Sequence, residues 1–145
     1  MTIPSDIIAA ARAGMGHWHV PASVSLAQWI VESGSGAHSP GNNPFGMKPR
    51  EGRNDPCQWL ATTEFRNGAY RPCKQPFRTF PTIADAFDAH AKLIATAPVY
   101  AAAMAALPNV DRFVTRLSAH YATDPLYAHK LLTLISAHKL TEYDA

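Results

Sequence analysis

The stretch from Ala22 to Lys48, ASVSLAQWIVESGSGAHSPGNNPFGMK, constrains this chain more than any other. Its first half is apolar nearly all round, through Val24, Leu26, Ala27, Trp29, Ile30 and Val31, the pattern of a helix buried in a protein interior. A single carboxylate, Glu32, ends the run, and Ser33-Gly34-Ser35-Gly36 follow at once. Glycines in that place terminate helices. Glu32 is therefore expected in the last turn of a buried helix, where apolar surroundings and the negative helix end both disfavour its ionised form. A carboxyl so placed holds a proton near neutrality, as a general acid must.

The rest of the chain reads as a frame for that helix. Its 145 residues suit one domain with a core of its own. Pro4-Ser5-Asp6 opens a first helix carrying Ile8, Ala11, Met15 and Trp18, which ends near His19 because Pro21 excludes helical geometry before it. From Ala37 to Gln58 the chain is rich in Gly, Pro and Asn, an ordered loop packed over a cleft. Trp59 to Phe65 and Tyr70 to Phe80 favour strands, and Asn67-Gly68 between them signals a hairpin. Pro72 and Pro76 are expected to limit it to an edge or a short, irregular sheet. After Pro81 the pattern is helical throughout, with Thr82 and Asp85 as a capping box, Pro98 and Asn109 as further starts, and Asp124-Pro125 as an N-cap and first residue. The fold class is α+β, a mostly helical lobe with a small β-hairpin lobe, about residues 57–80, inserted between the second and third helices.

Such a frame suggests a two-lobed glycosidase. Glycoside hydrolysis needs an acid on the leaving oxygen and a second group for the oxocarbenium ion or the water. Glu64, in TTEFRNG on the hairpin, is the natural second carboxylate, and a hairpin can move as a lid. Other chemistries fit poorly. The seven histidines are scattered without HExxH or Cys-x-x-Cys, so no metal or other cofactor is expected. GxSxG is absent, and the net charge of +2 is too small to argue for nucleic acid. No apolar run approaches the roughly 20 residues that span a bilayer.

Five motifs in a fixed order carry a resemblance: Glu32-Ser33-Gly34, Asn43-Pro44-Phe45-Gly46-Met47-Lys48, Thr62-Thr63-Glu64, Phe77-Arg78 and Tyr121-Ala122-Thr123-Asp124-Pro125. The chain resembles glycoside hydrolase family 73, the β-N-acetylglucosaminidases of bacterial autolysins, flagellar rod-cap hydrolases and phage lysins, from about Ile8 to about Ala137. The resemblance implies a lysozyme-like fold and cleavage of peptidoglycan between N-acetylglucosamine and N-acetylmuramic acid. It implies Glu32 as proton donor and Glu64 as the glutamate of the β-lobe, with either Glu64 as base or the substrate's own N-acetyl group as nucleophile. It also implies Tyr121 as a sugar-positioning or transition-state group, and Asn43 and Phe45 as groove-lining residues. Pro44 departs from the aliphatic residue common in the family and stiffens the loop. Trp59 is a further candidate for stacking on sugar, whereas Trp29 reads as core.

Two alternatives stand beside this expectation: lytic or muramidase-type cleavage of the same polymer, and a peptidoglycan-binding module without turnover. The expected partners are glycan strands and, for a secreted effector, a cognate immunity protein; no membrane partner is expected and the chain is expected to be a monomer. The N-terminus lacks the basic start and apolar core of a Sec signal, so wall access is expected through holin release or specialised secretion, with a phage lysin first and an antibacterial effector second. Cys57 and Cys73 read as two free thiols, with a disulfide open in an oxidising compartment.

Overall fold

A computed structural model describes residues 2–145. Among these residues six α-helices surround one core: α1 (Ser5–Trp18), α2 (Ala22–Ser33), α3 (Ile83–Thr96), α4 (Ala101–Ala105), α5 (Val110–Tyr121) and α6 (Tyr127–Ala137). Strands β1 (Cys57–Arg66) and β2 (Ala69–Arg78) form an antiparallel hairpin between α2 and α3. The architecture is the α+β, lysozyme-like arrangement expected from the sequence. No helix among the described residues is long and apolar enough to cross a membrane.

Helix α2 runs through the middle of the helical lobe. Every residue from Ala22 to Trp29 is buried, including Ser23, Ser25 and Gln28. A helix start buried this deeply needs partners for its first N–H groups. They come from the far end of the chain: the Asp144 carboxylate accepts from Ser23 N at 2.7 Å and from the Ser23 hydroxyl at 2.7 Å. Helix α1 presents Ile7, Ala10, Ala11 and Gly14 to the core, a smaller-residue face than the expected one. Small residues let α1 and α3 approach closely; a Cβ on Gly14 would stand 3.4 Å from both Ala91 Cβ and the Phe87 carbonyl oxygen. Leu26, Phe87, Ile94, Phe113, Leu117, Leu131 and Leu140 fill the centre.

The expected helix starts mostly hold. The Thr82 side chain accepts from Asp85 N at 3.1 Å and the Asn109 side chain from Arg112 N at 2.9 Å. Asp124-Pro125 is a correction, because α6 begins at Tyr127. The Asp124 carboxylate instead accepts from Leu126 N at 2.9 Å, an Asx turn that precedes the helix, and Lys130 reaches back to it at 2.6 Å.

The hairpin is also more regular than expected. Ten residue pairs hold register from Cys57 opposite Arg78 to Arg66 opposite Ala69. Asn67 and Gly68 both have positive φ, 50° and 79°, as a two-residue type I′ turn requires. Counting from that turn, Pro72 opposite Thr63 and Pro76 opposite Trp59 fall at non-hydrogen-bonded pairs, where the missing N–H would have faced away from β1. Cys57 and Cys73 are free and sit at different levels of the hairpin, Cys73 being opposite Thr62. Five residues of strand separate those levels, roughly 16 Å, far beyond the reach of a disulfide.

Candidate active site

Glu32 stands at the C-terminal end of α2, where Gly34 turns the chain left-handed at φ 58°. The next turn folds back under it. Ser33 donates to the Trp29 carbonyl at 2.6 Å and accepts from Gly36 N at 2.8 Å. At Gly36, with φ 90°, a Cβ would come within 2.9 Å of the Trp29 ring, so only glycine fits there. Trp29 itself is buried core.

Two cavities meet at Glu32 and Gly46. The first, about 280 Å³, lies between the loop after α2 and the hairpin and is lined by His38, Asn43, Leu60, Thr62 and Phe77. The second opens over the helical lobe, where Phe45, Tyr121 and Tyr127 form its wall. Glu32 faces this groove. The protein around it raises its carboxyl above the ordinary carboxylate range by desolvation, against the opposing effect of a hydrogen bond from Tyr127. That bond runs from the Tyr127 hydroxyl to Glu32 Oε1 at 2.9 Å.

Tyr127 does not stand alone. Gln28 Nε2, one turn before Glu32 on α2, donates to the Tyr127 oxygen at 3.2 Å. Gln28 Oε1 lies 2.7 Å from His90 Nε2 on α3. His90 is fully buried and stacks on Phe45 with centroids 3.9 Å apart and planes 7° apart. Burial pushes its imidazole down to about 3, so the ring is neutral. Sequence reasoning missed this line of side chains, singling out none of Gln28, His90 and Tyr127. A signal existed in Gln28, the one amide on α2, four residues from Glu32 and so on the same face.

The other expected site residues divide. Tyr121 lines the second cavity, stacks on Tyr127 at 5.6 Å and meets the His90 ring edge-on at 5.8 Å. Burial first, then the nearby Tyr127 and Glu32, push its phenol well up, leaving a neutral hydroxyl. Asn43 lines the first cavity but is 4% exposed, and its amide acts as a bracket. It donates to the carbonyls of Met47 at 2.9 Å and Arg78 at 3.0 Å and accepts from Met47 N at 3.1 Å. Phe45 borders the second cavity while packing into the core. Glu64 shares a hairpin face with Leu60 and Thr62 but lies beyond the residues that line the cavity at Glu32. Arg66 pairs with it at 2.7 Å and Gln75 donates to its other oxygen. Trp59 alternates onto the opposite face with Phe65 and Tyr70, exposed and turned away from the groove.

Known proteins share both sequence and fold with this chain. The chain is 38% identical over 134 residues to an autolysin of Enterococcus faecalis, covering 85% of this chain and 18% of that protein. It is 34% identical over 123 residues to the peptidoglycan hydrolase FlgJ of Salmonella typhimurium, covering 80% of this chain and 39% of the relative. The chain thus spans well under half the length of these curated relatives. The catalytic domain of the autolysin Auto from Listeria monocytogenes superposes with a TM-score of 0.83 at 25% identity, over 99% of this chain and 90% of that one. The profile described as mannosyl-glycoprotein endo-beta-N-acetylglucosaminidase matches residues 8–140. With that match over most of its length, the chain belongs to the glucosaminidase family, glycoside hydrolase family 73.

Proposed function

We propose that this domain hydrolyses the β-1,4 bond between N-acetylglucosamine and N-acetylmuramic acid in peptidoglycan, with Glu32 as general acid. One observation carries the reading: a carboxyl with a raised pKa stands where two cavities join into a groove between the lobes. A glycan strand laid along that groove crosses Glu32 with sugars on either side. Glu32 gives its proton to the bridging oxygen as the C1–O bond breaks and the electron pair stays on that oxygen. Tyr121, a neutral hydroxyl on the same wall, then contacts the sugar at the cleavage point.

The second group is either Glu64 or the acetamido oxygen of the substrate. With Glu64 engaged by Arg66 and Gln75, the hairpin has to bend inward before that carboxylate reaches the anomeric carbon. The substrate's acetamido group needs no such movement. Access to the wall is by holin release or specialised secretion of a monomer, and the second route calls for an immunity protein that plugs the groove.

The experiment is turnover of purified wall by Glu32→Gln and Glu64→Gln. Glu32→Gln keeps the fold and loses at least ~100-fold in rate, the scale of a general-acid contribution; wall lysis at the wild-type rate sinks the assignment. Glu64→Gln loses less if the acetamido group is the nucleophile, and equally if two carboxylates share the work. Mass spectrometry of fragments should show N-acetylglucosamine at the new reducing ends, and muramic or anhydro-muramic ends would replace hydrolysis at glucosamine with the alternative cleavage.

A further inference from the structure

The line from His90 to Glu32 has a direction, and one atom determines it. Gln28 joins His90 to Tyr127 through its amide, which can present either its oxygen or its nitrogen to either neighbour. With the oxygen toward His90, the ring donates from Nε2, the amide donates to the Tyr127 oxygen, and the Tyr127 proton points at Glu32. With the amide reversed, every donor reverses: Tyr127 gives its proton to Gln28, and Glu32 loses its donor. The reversed chain also moves the imidazole proton to Nδ1.

Nδ1 of His90 is buried and meets no hydrogen-bond partner among the described residues. A buried N–H without an acceptor is rarer and costlier than an under-used acceptor lone pair. Phe45 covers one face of the ring at 3.9 Å and Tyr121 approaches edge-on, so no solvent reaches it; the residue is 0% exposed. The proton therefore belongs on Nε2, and the whole chain is polarised toward the groove.

We propose that His90 and Gln28 are positioning residues for Glu32: the Nε2–H tautomer of His90 orients the Gln28 amide, the amide aims the Tyr127 proton at Glu32 Oε1, and Oε2 is left as the oxygen carrying the transferable proton. The inference rests on Glu32 being the acid. When the Oε2 proton passes to the bridging oxygen, the new carboxylate already has a donor directed at its other oxygen, with no side chain left to reorganise. Two residues that touch no substrate thus decide which oxygen acts.

Other groups share these cavities. His38 and Lys48 enter from the loop, Tyr121 from the end of α5, Asp124 from the turn beyond it, and Tyr127 from α6. An activity profile alone mixes their titrations, so the test follows single atoms.

Nitrogen-15 NMR of the wild-type protein reads the His90 tautomer directly. A proton on Nε2 and none on Nδ1 is expected, and the Nδ1–H tautomer overturns the proposal whatever the folding of any variant. Carboxyl carbon-13 titration of Glu32 then compares wild type with His90→Phe, which keeps a ring stacked on Phe45, and with Tyr127→Phe. Both should move the Glu32 midpoint upward, since Tyr127→Phe removes the donor and His90→Phe removes what aims it, and the double variant should move it no further than Tyr127→Phe alone. A His90→Phe midpoint equal to wild type, or additive shifts, overturns the relay. The alkaline limb of kcat should rise with the midpoint while KM for soluble glycan fragments stays within about 2-fold, and a change in KM alone points to a merely structural histidine and overturns it too. An active Glu32→Gln variant would remove the acid role while leaving the tautomer and titration results standing, so the two failures are distinct.

Discussion

Glu32 occupies the least favourable place on α2 for a negative charge. Carbonyl ends converge there, and the groove walls strip solvent from the carboxyl, so its pKa is raised in the folded protein. A carboxyl that binds its proton more tightly when folded favours the folded state below the unfolded carboxylate range, and that advantage disappears as pH rises through the folded pKa. Glu32→Gln removes the charge at every pH. Thermal unfolding should therefore show the variant melting above wild type at neutral pH, with the difference shrinking as pH falls through the raised folded pKa and gone below about 4; a variant that melts lower at neutral pH, or a gap that widens in acid, contradicts the raised pKa. The helix-end carboxylate was legible because an apolar run and a glycine stop are both local patterns. Its partners were not, since the Tyr127 bond spans 95 residues, the Gln28–Tyr127 bond 99 and the His90–Gln28 bond 62. No periodicity encodes which polar atom on a buried face meets which.

At the scale of elements, the loop between α2 and β1 is held as firmly as a strand. Met47 carries its carbonyl to Arg78 N at 2.9 Å, and Gly41 offers its own to Phe80 N at 2.9 Å, so the loop closes onto both the end of β2 and the segment after it. Asn43 clamps the turn between them. Asn43→Ala leaves the Arg78 carbonyl and the Met47 N–H without their partner in a buried corner and the Met47 carbonyl with Arg78 N alone, a loss of about 2 kcal/mol or more. Urea unfolding should record that loss, and amide exchange should accelerate at Met47 and Arg78 while α3 is unchanged. Equal protection at Met47 in the variant would show that the backbone holds the loop without the side chain. The hairpin was legible from Asn67-Gly68, but its regularity was not, because a proline count says nothing about which side of a strand each missing N–H faces. Asp124-Pro125 misled for a related reason: an aspartate that caps a helix and one that closes an Asx turn before it look the same in sequence.

The molecule as a whole divides its labour unevenly. The core is drawn mainly from the helices, with residues such as Ile3, Val20, Phe45 and Leu140 added from outside the α-helices, and no hairpin residue belongs to its buried cluster. The hairpin supplies Leu60, Thr62 and Phe77 to the groove instead. Stability and one wall of the site thus lie in different lobes, the order of which was readable from hydrophobic period, while the clamp of Asp144 on α2 was not. The two can be separated, because the hairpin leaves and returns at one place: Cys57 pairs with Arg78, and Thr79 N donates to the Pro56 carbonyl at 2.9 Å. Replacing residues 59–76 with a two-residue Asn-Gly turn bridges Gln58 and Phe77, a hydrogen-bonded pair roughly 5.5 Å apart, without stretching either strand end. The helical lobe should still unfold cooperatively within a few degrees of the parent, because its core is untouched. Wall hydrolysis should vanish, because the groove opens to solvent on one side of Glu32 and the glycan loses half its enclosure. Circular dichroism melting and turbidity loss of wall suspensions measure the two halves separately. A shortened protein that is unfolded would make the hairpin part of the folding unit, and one that still clears wall would move the chemistry wholly onto the helical lobe.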